Sequence, residues 1–120
     1  MVRTLKVRIR GAGLTIRGSG TFRKGEHLIA WHLDGKAARV DGVLTHQWCN
    51  CNAVPTAGIL SDFTRIGKTW AAMSNSHRGR PKTRWFYVLT LTLPDGTTYK
   101  STPCPPAKGG TAGNPNIRNN

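Results

Sequence analysis

The stretch Thr56-Ala57-Gly58-Ile59-Leu60-Ser61-Asp62-Phe63-Thr64-Arg65-Ile66-Gly67-Lys68-Thr69-Trp70-Ala71-Ala72-Met73 decides the fold class, because it is where the apolar period stops being two. Ile59, Phe63, Ile66, Trp70 and Met73 recur at spacings of three and four, which places them on one stripe of a helix, with Pro55 and Thr56 near its start. Gly67 weakens that helix and can split it. The stripe reads as a core-facing surface rather than a cofactor box.

On either side the chain alternates. Leu5, Val7 and Ile9 take one face of a strand while Lys6, Arg8 and Arg10 take the other. After Gly11-Ala12-Gly13 the alternation resumes at Leu14 and Ile16, and Gly18-Ser19-Gly20 suggests a bulge before Phe22. Leu28 to Leu33 reads as a buried strand, with Asp34-Gly35 as a hairpin signal and a return strand over Lys36 to Val40. Asp41-Gly42 marks another turn before Val43 and Leu44.

Ser74 to Thr83 is a polar, basic loop. Arg84 to Leu93 is the strongest strand, with Trp85, Tyr87, Leu89, Leu91 and Leu93 on one face and Phe86, Val88, Thr90 and Thr92 on the other. Pro94-Asp95-Gly96 turns it back into Thr97 to Ser101. The expectation is an α+β, β-rich fold: an antiparallel sheet or a small OB-like or SH3-like barrel, with one helix (about 56–73) between an N-terminal all-β part and a C-terminal hairpin. Residues 1–104 make a single domain, and 105–120 a Pro/Gly/Asn-rich tail, disordered by itself.

Charge is the loudest feature. Eighteen Lys and Arg stand against five acids, a formal net charge of +13. Such a field attracts phosphate polymers or anionic surfaces, whereas a merely solubilising surface mixes its signs. No apolar run is long enough to cross a bilayer and the N-terminus lacks a signal-peptide core, so an intracellular or virion location without membrane contact is expected.

Arg78-Gly79-Arg80-Pro81, followed by Lys82 and Arg84, resembles the AT-hook core. The resemblance covers those four residues and their basic flanks, and implies an extended segment lying in the narrow minor groove of A·T-rich DNA. Together with Lys6, Arg8, Arg10, Arg17, Arg23 and Lys24, the residues Arg78, Arg80, Lys82 and Arg84 are the expected phosphate contacts. Trp85-Phe86-Tyr87 follows Arg84 directly, so an exposed face there would stack bases beside the cations.

Cys49, Cys51 and Cys104 are odd in number, which speaks against a closed disulfide framework. With His46 they form a candidate zinc set, although a Cys-x-Cys spacing is tighter than structural zinc sites use; ordinary reduced cysteine, and no cofactor, is the plainer reading. The acids are Glu26, Asp34, Asp41, Asp62 and Asp95, and three of them precede turn glycines, so two-metal nuclease chemistry lacks its carboxylates. Metal-independent RNA cleavage, with Glu26, His27, His32, His46 or His77 as acid and base, is the remaining enzymatic option.

The leading functional reading is therefore a non-enzymatic protein, of phage or mobile-element type, that binds DNA or RNA through phosphates with little sequence readout. The alternatives are a structural component of a virion or ribonucleoprotein, packed against neighbouring subunits, and an RNase toxin.

Overall fold

A computed structural model describes residues 1–49, 55, 58–80, 82–105 and 114–120. Its strands are β1 (Val2–Arg10), β2 (Gly13–Arg17), β3 (Thr21–Phe22), β4 (Gly25–Leu33), β5 (Val43–Trp48), β6 (Thr64–Ile66), β7 (Trp70–His77), β8 (Arg84–Thr92), β9 (Thr98–Lys100) and β10 (Asn116–Asn119). They join in one mixed sheet, ordered β3-β10-β8-β9-β2-β1-β4-β7-β6, with β5 paired to the other edge of β8. The pairs β1–β4, β2–β9 and β3–β10 are parallel and the rest antiparallel.

The expected helix over 56–73 is absent from the described part of that stretch, so the fold is nearly all β rather than α+β. Residues Thr64–Ile66 and Trp70–His77 are the two arms of a hairpin, with Ile66 opposite Trp70. Gly67, the flaw in the helix reading, sits at φ 70° and makes the turn. The three-and-four spacing joined residues that point to opposite sides: Phe63 packs edge-on to Trp31 and Met73 is buried, whereas Ile66 and Trp70 face outward. Thr56 and Ala57 lie outside the described residues.

Two further local expectations change. Lys36 to Val40 is not a return strand; Gly35–Ala38 forms a single 3₁₀ turn, capped by the Asp34 carboxylate accepting from the Gly35 N–H. The strand that pairs with β4 is β1 on one side and β7 on the other. The chain end is not simply a tail: Asn116–Asn119 lies between β8 and β3, with Ile117 buried in the core.

The sheet is rolled around its core. Trp31 on β4 donates from Nε1 to the Tyr87 hydroxyl on β8, 3.0 Å away, although those strands stand four places apart in the order. Asn75 on β7 and Asn119 on β10 are buried and exchange two side-chain hydrogen bonds of 2.7 and 3.1 Å, which joins strands still further apart. Leu5, Val7, Ile29, Trp31, Leu33, Trp85, Tyr87, Leu89, Leu91 and Ile117 fill the interior. Each large aromatic buried there removes about 150–250 Å² from water, roughly 4–6 kcal/mol as an upper bound from area.

Cys49, just after β5, and Cys104, after β9, are joined by a disulfide with their Cα atoms 5.6 Å apart. An odd cysteine count speaks against a closed framework in which every cysteine is paired, and it leaves room for this one bond.

Candidate nucleic-acid interface

Alternation along β1 buries Leu5 and Val7 and turns Thr4, Lys6, Arg8 and Arg10 outward. Strand register then extends this face. Arg17 on β2 lies beside Lys6, Thr15 beside Arg8, and Gly13 beside Arg10. Lys100 on β9 lies beside Gly13. In the other direction Lys6 is followed by His32 on β4, Trp70 on β7 and Ile66 on β6. One row thus crosses five strands as Arg17, Lys6, His32, Trp70 and Ile66, at about 4.8 Å per step.

Two features of that row matter chemically. His32 and Trp70 stack with ring centroids 4.0 Å apart and planes 22° from parallel, and the indole remains 40% exposed. Lys6 and Arg17 are like charges placed directly side by side, an arrangement that disfavours the free protein and that a polyanion relieves. Arg8 is engaged differently, holding Asp34 at 2.6 Å; its hydrogen bond is the main cause that lowers the Asp34 pKa.

A second cationic region forms at the end of the roll where β4 begins and β7 finishes, Gly25 being opposite His77. Arg23 and Lys24 precede β4. Arg78 and Arg80 follow β7, and a side chain at Gly79 would stand 3.5 Å from the Lys24 Cδ, so the two loops lean together. Arg118 on β10 is in register with Arg84 on one side and Thr21 on the other. Arg3 closes the group, its guanidinium 5.5 Å from the centre of the Phe22 ring. Segments around positions 3, 23–24, 78–80 and 118, with Arg84 beside the last, therefore converge. A cleft of about 380 Å³ reaches in beside them, lined by Thr15, Ser19, Arg84, Tyr87, Asn114 and Asn116.

Of the residues expected to contact phosphate, Lys6, Arg8, Arg10 and Arg17 stand on the sheet face, Arg23, Lys24, Arg78 and Arg80 stand at the end of the roll with Arg84 beside Arg118, and Lys82 is exposed just before β8. Arg3, Arg118 and Lys100 were not foreseen, because each joins only through a long-range contact. Lys100 sat in a hairpin arm and Arg118 in the supposed tail.

The acids are spread thinly. Asp34 meets Arg8, Asp41 meets Lys68 at 3.4 Å, and Glu26 accepts from the Ser76 hydroxyl at 2.8 Å.

The AT-hook resemblance is not matched by an extended backbone. Gly79 sits at φ 91° and its N–H donates to His77 Nδ1 at 3.0 Å, so Arg78 and Arg80 ride on a turn; Pro81 lies outside the described residues. Trp85, Phe86 and Tyr87 offer no stacking face either, being 2%, 6% and 2% exposed. An alternating run with apolar residues on both faces is what a central strand requires, and β8 has neighbours on both edges. Trp70, 40% exposed on this face, is a residue the helix reading puts on its core side. Its outward placement was signalled only by the alternation Ala71, Met73, Asn75, His77, which the helix reading passed over.

The zinc set His46, Cys49, Cys51 and Cys104 is not assembled. Cys49 and Cys104 are bonded to one another, which removes both as thiolate ligands, and Cys51 lies outside the described residues. His46 instead lies among Trp48, Tyr87, Phe63 and Trp31, with centroid distances of 4.4, 5.1, 5.2 and 6.0 Å, and burial lowers its pKa to about 4. The other histidines have their own contacts. His27 bonds the Arg23 carbonyl, His32 stacks on Trp70, and His77 uses both nitrogens on the Gly79 N–H and the Asn120 carbonyl.

No known protein family, curated protein or solved structure matches the chain.

Proposed function

We propose that the protein is a non-enzymatic nucleic-acid-binding module that grips the phosphate backbone and reads little sequence. The observation that carries this is the convergence at one end of the roll of cations from separated segments, Arg3, Arg23 with Lys24, Arg78 with Arg80, and Arg118 beside Arg84. A protein gains nothing in stability by gathering like charges, so their collection favours a polyanionic partner. Lys and Arg heads on long flexible stems suit phosphate oxygens, which carry no sequence information.

The test is fluorescence anisotropy of labelled DNA and RNA with the isolated protein across a salt series. If six to eight phosphates are engaged, log affinity falls against log salt with a slope of about −4 to −7. Replacing Arg78, Arg80 and Lys82 together by Gln flattens that slope by about 2–3. Absence of binding at low salt, or a slope indifferent to the triple substitution, refutes the proposal.

A further inference from the structure

We infer that Trp70, held by His32, is a base-stacking platform, and that the ligand of the sheet face is single-stranded nucleic acid. This rests on the nucleic-acid reading and specifies the form of the polymer. A duplex hides its base faces inside its own stack, whereas a single strand offers a π-face at every nucleotide. The outward face carries what such a strand needs in one line: an exposed indole, then Lys6 two strands away and Arg17 three strands away, roughly 10 and 14 Å across the sheet. Phosphates flanking a base stacked on Trp70 fall among these two cations.

The local packing favours the role. The His32 ring lies nearly parallel to the indole and fixes its orientation, so little side-chain freedom is left to lose on binding. The neighbouring row on the same face is Thr4, Ala30, Ala72 and Thr64, all short side chains, with Ala30 and Ala72 buried beneath their larger neighbours. Ile66, 57% exposed, borders it on the edge strand β6 and extends the apolar surface.

The deciding experiment compares, with the full chain at low salt, a thymidine oligonucleotide and an abasic deoxyribose-phosphate oligomer of equal length and charge. The wild-type protein binds the thymidine oligomer about 10- to 100-fold more tightly, and its tryptophan emission is quenched as it does so. Trp70→Ala, checked for cooperative unfolding, removes that preference and the quenching, while Trp70→Phe keeps most of the preference. Equal affinity of the wild-type protein for the two oligomers overturns the stacking role and leaves phosphate binding standing; failure to bind either one removes both. A Trp70→Ala variant that folds and still prefers the thymidine oligomer also overturns it. So does a self-association of the wild-type chain that Trp70→Ala abolishes, since the indole would then serve a second copy.

Discussion

Breaking the bond between Cys49 and Cys104 tests both the topology and the cysteine assignment. The two residues are 55 apart in sequence, and the loop-closure relation for a loop of that size gives about 4 kcal/mol of stabilisation through restriction of the unfolded chain. The native side adds to the expectation, because β5 pairs with β8 alone among the described strands and the disulfide anchors its far end. A domain holds about 5–15 kcal/mol in all, so this one bond supplies a quarter or more of it. The assay is urea unfolding of a Cys51→Ser variant, which cannot reshuffle its sulfurs, with and without a phosphine reductant. With a slope of about 1–3 kcal/mol per molar urea, the midpoint drops by roughly 1–4 M on reduction. A shift too small to measure refutes the energetic argument, and peptide mapping that finds Cys51 in the bond refutes the pairing. Reducing surroundings such as a bacterial cytosol would forgo this contribution, since such bonds persist where the medium is oxidising.

Two further outcomes follow from buried polar groups. Burial lowers the His46 pKa to about 4 in the folded protein, against an ordinary value of 6.5, so the unfolded chain takes up a proton between those values while the folded one does not. Stability is complete above pH 6.5 and falls as pH drops toward 4, by roughly 3 kcal/mol through this group; unfolding at pH 7 and pH 4 in the wild type and in His46→Gln isolates it, and equal pH dependence in both would speak against the buried neutral ring. Asn75→Ala leaves Asn119 buried without its partner and costs about 2 kcal/mol in urea unfolding. A double-mutant cycle with Asn119→Ala should return a coupling of about 1 kcal/mol or more, and a coupling near zero means the sheet does not close there.

What the sequence determined by itself was local. The period of two is written into β1, and the short apolar runs of β4 and β8 are equally local signals, so placing these strands needs nothing beyond neighbouring residues. The cation excess was equally legible, since charge is a count. The stretch from Ile59 to Met73 defeated the same approach because a short hairpin also spaces its apolar residues by three and four when the turn falls among them. Which side Ile66 and Trp70 face depends on the register in which β7 docks on β4, since a one-residue slip would turn both to the other face. Only the tertiary structure decided that docking, the Cys49–Cys104 pairing, the return of Asn116–Asn119 into the sheet and the row from Arg17 to Ile66. Each is a contact between positions far apart in sequence, and whether it forms depends on the free energy of the assembled roll, which no short window of residues contains.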